Sequence, residues 1–305
     1  MKRRNFIKNT LATSALLSLG GISLSSFTDK KPKKITILHT NDTHSHIEAF
    51  PADHPLNPNM GGVARRATLV SKIREEEDNV LLLDAGDMFQ GTPYFNYYGG
   101  ELEFKLMNML GYDVATIGNH EFDNGLEGIL AQLPNAQFDI VNANYDFSNT
   151  ILKGMIKPYK VIEKDGVRIG VFGLGIELEG LVDKKSFGET IYLDPIEVAT
   201  TITNTLRNEE NCDVVICLSH LGFKFNNEPD KICDLILAEQ TEGIDVIIGG
   251  HTHTFLDKPV IKKNKVGKEV LVNQVGAYGI NLGKIDLYLD DTNKKIGHEG
   301  ISIKI

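Results

Sequence analysis

Short apolar runs alternate along the chain with longer segments of helical periodicity. The apolar runs predict strands at residues 35–39, 80–84, 113–117, 138–142, 213–219 and 245–248. The periodic segments between them predict helices at residues 62–77, 95–110, 126–133, 195–208 and 229–239. This alternation is typical of parallel strands joined by crossover helices, so the pattern predicts an α/β fold.

Two later segments break the alternation. Asp165-Gly166 joins two extended runs and is a strong hairpin signal. From Pro259 onward the chain is again strand-like. These antiparallel runs beside a parallel core predict a mixed sheet or two stacked sheets. The sequence shows no internal repeat, low-complexity linker or shift in composition, so we expect a single domain.

The first 28 residues have the pattern of an export signal. A basic head precedes an uncharged stretch rich in Leu, Ala, Ser and Gly, and small residues come before Phe27. The Arg3-Arg4 pair resembles signals of the twin-arginine type; an ordinary signal or an uncleaved anchor is the alternative. The Ser, Thr and Gly content disfavours a stable membrane span. We therefore expect an exported protein, in the periplasm or at the cell surface.

The amino-acid composition and net charge limit which kinds of molecule this chain can bind. With 305 residues and 41% hydrophobic content, the chain can bury a sizeable core. Its net charge is −9, although the first 26 residues contain four basic side chains and no acidic one. Such an acidic surface disfavours a nucleic acid polymer or an anionic membrane as partner. The three cysteines, Cys212, Cys217 and Cys233, are odd in number and predict no disulfide framework.

Five fragments share one pattern, in which an apolar strand ends and Asp, Asn or His follows at once. They are ITILHTNDTH, VLLLDAGD, VATIGNHEFD, VVICLSH and DVIIGGHTH. Because the carboxyl ends of parallel strands lie at one edge of a sheet, we expect these polar side chains to meet in one crevice. The candidates are Asp42, His44, Asp87, Asn119, His120, Asp123, His220, His251 and His253.

This set of side chains indicates a metal site. Taken singly, each could be a hydrogen-bonded turn residue or a helix cap, but the repetition over five fragments favours ligation. Carboxylate, amide and imidazole ligands without thiolate suit Zn²⁺, Mn²⁺ or Fe rather than Ca²⁺ or an iron–sulfur cluster. The groups are too many for one tetrahedral ion, so we expect two divalent ions bridged by a carboxylate.

The five fragments resemble the signature of the calcineurin-like metallophosphoesterases, which is D-x-H, G-D, G-N-H-(D/E), H and G-H-x-H. They stand here as Asp42-Thr43-His44, Gly86-Asp87, Gly118-Asn119-His120-Glu121, His220 and Gly250-His251-Thr252-His253. Within that superfamily the chain is most similar to the catalytic domain of the exported 5'-nucleotidase and UDP-sugar hydrolase family. The supporting stretches are LHTNDTHSH, GGVARRATLV, DAGDMFQGTP, TIGNHEFDNG and GAYGINLGKIDL. The resemblance implies that residues 33–305 form a sandwich of two mixed β-sheets flanked by helices.

The same resemblance implies a site and a reaction. One ion would be held by Asp42, His44, Asp87 and His253, and a second by Asp87, Asn119, His220 and His251, with Asp87 bridging. His120 would face the leaving group or the phosphoryl oxygens, and Asp123 would orient it. The implied activity is hydrolysis of phosphate monoesters, such as 5'-nucleotides to nucleoside and phosphate, by in-line attack of a metal-bound hydroxide.

Other functions stay open from the sequence. One alternative is a phosphodiesterase acting on cyclic nucleotides or nucleotide sugars. Full-length 5'-nucleotidases continue into a second domain that holds the nucleobase between aromatic rings. The sequence ends at Ile305, so we expect that domain to be absent. Either this domain recognises small phosphate esters with its own loops, or a separately encoded chain binds the substrate and this chain acts as a subunit of a complex.

Overall fold

Strands and helices alternate through residues 32–305, the part of the chain that the computed structural model describes. The predicted export signal, residues 1–28, lies outside these residues. The strands are β1 (Lys33–Thr40), β2 (Val80–Asp84), β3 (Val114–Thr116), β4 (Asp139–Val141), β5 (Tyr145–Asp146), β6 (Tyr159–Lys164), β7 (Val167–Gly175), β8 (Ile191–Tyr192), β9 (Val214–His220), β10 (Val246–Gly249), β11 (Val260–Lys263), β12 (Glu269–Asn273), β13 (Asn281–Leu289) and β14 (Lys295–Lys304). The α-helices are α1 (Val63–Glu76), α2 (Pro93–Tyr98), α3 (Glu101–Leu110), α4 (Gly125–Gln132), α5 (Lys184–Phe187), α6 (Pro195–Asn204) and α7 (Asp234–Gln240). All six predicted strands are present, each within one or two residues of its predicted bounds.

Two six-stranded mixed sheets form the fold. The first sheet has the order β14-β13-β1-β2-β3-β4, with β1 to β4 parallel and β13 and β14 antiparallel to their neighbours. The second has the order β11-β12-β10-β9-β7-β6, with four parallel strands between two antiparallel edge strands. A small pair, β5 and β8, lies apart from both. The prediction of two mixed sheets in one domain is confirmed.

The two sheets pack face to face, and helices cover their outer faces. Ile37 of the first sheet and Ile216 of the second belong to one fully buried cluster between the sheets. The outer face of the first sheet packs against α1 and α3, and that of the second against α6 and α7. Because the central strands are buried on both faces, they are apolar runs rather than alternating ones. Within residues 32–305, none of the helices is long and apolar enough to cross a bilayer.

Two predicted helices are corrected by the structure. The helix predicted over residues 95–110 is broken into α2 and α3 at Gly99 and Gly100, whose φ angles are 61° and 100°. These left-handed glycines end α2, and a Cβ at Gly100 would overlap the ring of Phe89. The helix predicted over residues 229–239 begins only at α7.

Other local predictions are confirmed with small changes. The hairpin between β6 and β7 turns at Asp165 and Gly166, whose φ angles of 52° and 68° are those a type I′ turn requires. The helix predicted over residues 195–208 is α6 followed by one π-helical turn, Thr205–Glu209. The three cysteines are free and buried, as the absence of a disulfide framework requires.

A buried imidazole links the two sheets. His39 lies at the inner face of β1, and its Nε2 accepts a hydrogen bond from Nδ2 of Asn273 in β12 at 2.9 Å. Burial lowers the pKa of His39 to about 3, so the ring is neutral at pH 7. Gly283 of β13 lies opposite His39, and a Cβ at Gly283 would overlap the imidazole.

We therefore expect Gly283→Ala to lower the free energy of unfolding by about 1–3 kcal/mol, because it overpacks the interior of the sandwich. Gly297→Ala in the neighbouring strand β14 is the control, since a Cβ there comes no closer than 3.8 Å to another residue and should cost less than about 0.5 kcal/mol. Urea denaturation of both variants measures the difference. Equal losses would contradict the assigned packing.

Candidate metal centre

Five strands from both sheets end at one crevice, and each contributes polar side chains to it. β1, β2 and β3 of the first sheet are followed by the loops that carry Asp42 and His44, Asp87, and Asn119 and His120. In the second sheet β9 ends on His220, and β10 leads into His251 and His253. The structure brings these predicted candidates to one place, together with Asp123.

The ligand-type atoms form overlapping clusters. The Nε2 atom of His253 lies 3.3 Å from Oδ1 of Asp42 and 3.0 Å from Nε2 of His44. On the other side, Nε2 of His220 lies 3.0 Å from Oδ2 of Asp87. The same Asp87 oxygen is 3.9 Å from Nε2 of His44, so Asp87 lies between the two clusters.

Asn119 and His251 complete the second cluster. The Nδ1 atom of His251 lies 2.9 Å from Oδ1 of Asn119, and His251 also groups with Asp87 and His220. His251 is joined to the first cluster through its backbone, since its N–H donates to Oδ1 of Asp42 at 2.9 Å. The two clusters are therefore parts of one connected site.

The hydrogen bonding of His220 shows that the site fits a divalent metal ion. Its Nδ1–H donates to the carbonyl of Ala85 at 2.7 Å, which fixes the ring with Nε2 directed toward the carboxylates. Within residues 32–305 this buried Nε2 has no partner that meets hydrogen-bond geometry, although Oδ2 of Asp87 lies 3.0 Å away. Burial opposes a charged imidazole, but the carboxylates of Asp87 and Asp42 raise the pKa of His220 to about 10. The carboxylates therefore favour positive charge at His220, whereas burial lowers the pKa of His251 to about 4. Together the oxygen and imidazole donors suit a divalent ion.

Five of the clustered side chains come from residues with left-handed backbone. They are Asp42, His44, Asp87, His251 and His253, with φ angles of 49°, 48°, 57°, 69° and 50°. This region is sterically unfavourable for residues with a Cβ, although Asp and His adopt it more readily than most. Such strain persists only where the surrounding structure imposes it, and it concentrates at functional sites.

His120 and Asp123 form a pair at the mouth of the crevice. Nδ1 of His120 lies 2.9 Å from Oδ2 of Asp123, and the backbone N–H of His120 donates to Oδ1 of Asp87 at 2.9 Å. The hydrogen bond that Nδ1–H of His120 donates to the Asp123 carboxylate raises the pKa of His120 to about 8, although partial burial opposes this shift. The ring can therefore carry a proton near neutral pH.

Two residues that organise the site were missed by the sequence analysis. Glu121 is buried and accepts hydrogen bonds from four backbone N–H groups in the loops after β2 and β3. Its place in the fragment GNHEFD was the only signal. Asn41 donates to the carbonyl of Gly276 at 2.6 Å and accepts from the N–H of Val275 at 3.0 Å, which ties the loop after β1 to the segment after β12.

An open cleft of about 590 Å³ lies against the site. Its floor includes His44, His120 and His253, so a molecule in the cleft would contact the clustered ligands. The other lining residues are His46, Phe50, His54, Leu56, Asn57, Gln90, Gly91 and Tyr278. A cavity of this size suits a small-molecule substrate.

Known proteins share this fold and much of this sequence. Rat (Rattus norvegicus) 5'-nucleotidase is 35% identical over 311 residues, which cover 95% of this chain and 51% of that protein. The crystal structure of a 5'-nucleotidase precursor from Thermus thermophilus superposes with a TM-score of 0.81 at 35% identity, covering 90% of this chain and 55% of that one. The calcineurin-like phosphoesterase YfkN from Bacillus subtilis gives a TM-score of 0.73 at 27% identity, covering 90% and 91% of the two chains.

The chain thus spans about half the length of the two 5'-nucleotidases. The family model described as calcineurin-like phosphoesterase matches residues 35–255, a segment that begins in β1 and includes every clustered side chain described above. This chain therefore belongs to the calcineurin-like phosphoesterase family.

Proposed function

We propose that this protein hydrolyses 5'-nucleotides to nucleoside and phosphate with the help of two divalent metal ions. The observation that carries the proposal is the pair of ligand clusters on either side of Asp87, with His120 beside them at the mouth of the cleft. The name 5'-nucleotidase, which the rat and Thermus relatives share, supports the choice of a nucleotide as substrate.

The proposed ligands divide into two sets that share one carboxylate. The first set is Asp42, His44, Asp87 and His253, and the second is Asp87, Asn119, His220 and His251. The donor types suit Zn²⁺, Mn²⁺ or Fe. When bound there, the ions would supply positive charge that polarises the phosphoryl oxygens and makes water a stronger nucleophile at neutral pH.

The remaining steps belong to the protein's own side chains. We assign to His120 the donation of a hydrogen bond, from the ring nitrogen not held by Asp123, to a phosphoryl oxygen or to the leaving-group oxygen. Such a donor stabilises charge that develops in the transition state. Asp123 is a positioning residue, because its carboxylate fixes the tautomer and orientation of the imidazole.

The proposed partner is a small phosphate ester, and the proposed location is outside the cytoplasm, in the periplasm or at the cell surface. The location rests on the basic and apolar pattern of residues 1–28 alone. A separate substrate-binding chain would be required only if the domain failed to turn over nucleotides by itself.

The first test is phosphate release from 5'-AMP by the purified protein after metal has been removed with a chelator. We expect no turnover without metal and restored turnover after addition of Mn²⁺ or Zn²⁺, because the clustered carboxylates and imidazoles need a cation between them. A phosphodiester such as bis(p-nitrophenyl) phosphate serves as the comparison substrate. Faster hydrolysis of the diester than of 5'-AMP would contradict the proposal.

Asp87→Asn should lose metal and activity together, because this carboxylate lies between the two clusters. We expect metal affinity and kcat/KM to fall by more than about 100-fold, since even residues that only hydrogen-bond to ligands are worth 10–100-fold. Asp139→Asn, on the exposed end of β4, is the control. Metal content and turnover are measured on the same samples, and unchanged metal content in Asp87→Asn would refute the bridging role.

His120→Ala should retain both metal ions while kcat falls by about 10²–10⁴-fold, because it removes a hydrogen-bond donor and leaves the proposed ligands in place. Asp123→Asn should give a smaller loss, as the imidazole remains but is less firmly oriented. Elemental analysis and steady-state kinetics with 5'-AMP separate the two quantities. Full rate in His120→Ala would remove this residue from the mechanism.

A further inference from the structure

A row of four rings leads away from the metal centre along the cleft. Tyr278 lies 5.6 Å from the ring of His253, and His46 lies 4.6 Å from Tyr278, measured between ring centroids. Phe50 follows at 4.9 Å from His46, and His54 at 4.5 Å from Phe50. We call these four side chains, His46, Phe50, His54 and Tyr278, the ring wall. All four line the cleft and are only partly buried, so they present ring surface to a bound molecule.

The backbone holds the ring wall in place before any ligand binds. Most of it belongs to the irregular segment between β1 and α1, which contains Pro51, Pro55 and Pro58. The N–H of Phe50 donates to the carbonyl of Met60 at 2.9 Å, which closes this segment into a loop. The N–H of Asn57 donates to Nδ1 of His54 at 3.0 Å and fixes that ring. A preformed surface of this kind loses little conformational entropy on binding.

The charge of the cleft restricts what the ring wall can bind. Among the described residues that line the cleft, none is Lys, Arg, Asp or Glu. Apart from its imidazoles, of which His120 stands at the metal centre, the lining therefore offers no basic side chain to additional phosphate groups, and it offers no acidic side chain to a cationic leaving group. Flat, partly exposed rings are instead suited to another planar ring, because aromatic groups stack favourably at centroid distances of about 4.5–7 Å.

We propose that the ring wall is a specificity surface that stacks against the planar ring of the leaving group, so that this domain selects esters of nucleosides over esters of simple sugars. The inference rests on the proposed phosphomonoesterase function and adds the residues that choose the substrate. Phe50 lies in the middle of the row, at 4.9 Å and 4.5 Å from the rings on its two sides, and is the principal contact.

The test compares two substrates that differ only in the base, 5'-AMP and ribose 5-phosphate. Selectivity is the ratio of their kcat/KM values. We expect wild-type protein to favour 5'-AMP and Phe50→Leu to lower the ratio by about 5- to 100-fold, the range that stacking of a base on an aromatic side chain is worth. His54→Gln keeps an acceptor for the N–H of Asn57 and should lower the ratio in the same direction.

Tyr97→Leu is the matched control, because Tyr97 is 82% exposed and does not line the cleft. Its ratio should equal that of the wild type. An unchanged ratio in both Phe50→Leu and His54→Gln, with turnover of both esters intact, overturns the ring wall while the proposed function stands.

A second measurement does not depend on turnover. Saturation-transfer NMR with adenosine and metal-free protein should show stronger transfer to the adenine protons than to the ribose protons, and Phe50→Leu should remove that difference. If adenosine gives this transfer pattern but neither ester is hydrolysed, the result supports stacking on the ring wall and rejects the proposed function. Equal transfer to base and ribose in the wild type would overturn the ring wall.

Discussion

The buried carboxylate of Glu121 joins two loops that carry the central groups of the site. Its oxygens accept hydrogen bonds from the N–H groups of Asp87, Met88 and Phe89 after β2, at 2.8–3.1 Å, and from Gly118 after β3 at 2.6 Å. Burial and the nearby charge of Asp87 raise the pKa of Glu121 to about 7, whereas the N–H groups favour its charged form. Those backbone groups would otherwise be buried without partners, which is costly. One side chain thus sets the distance between the strand ends on which Asp87 and His120 depend.

Backbone hydrogen bonds between neighbouring loops explain why so many ligand-type residues tolerate strained backbone. The loop after β1 is fixed by the N–H of Asp42, which donates to the carbonyl of Gly86 at 2.9 Å, and by the N–H of His44, which donates to that of Asp87 at 3.0 Å. On the other side the N–H of Tyr278 donates to the carbonyl of Asp42 at 2.7 Å. Each bond satisfies a buried polar group only while the loop stays in its left-handed turn. Backbone pairing between loops therefore helps to offset the strain at the ligands.

Sequence patterns predicted the strands and the polar side chains that follow them, because both depend on the spacing of apolar residues along the chain. A buried parallel strand is an apolar run, and its polar successor must lie at the carboxyl edge, which is why the five strand ends and their candidate side chains meet in one crevice as expected. The break at Gly99 was not predicted, because apolar residues continue at helical spacing on both sides of it. The role of Glu121 could not be recognised either, although the residue stands in the signature, since three of its four partners are backbone N–H groups more than thirty residues earlier, which have no mark in the sequence. The proximity of the four rings in the ring wall was not predicted for a similar reason. The rings come together only when an aperiodic loop folds against the segment after β12.

The chemistry and the proposed selectivity of this domain come from different kinds of structure. The ligand-type groups stand at the ends of core strands, where buried carboxylates and backbone bonds from both sheets fix them, so a change in any one disturbs the others. Phe50 and His54 stand on a surface loop, and their rings are connected to those of the centre through His46 and Tyr278. Loops of this kind accept substitution more readily than the elements they connect. Substitutions in the ring wall can therefore change which leaving group is bound while the clustered ligands stay in place. For this reason Phe50, rather than a ligand, is the informative position for substrate choice.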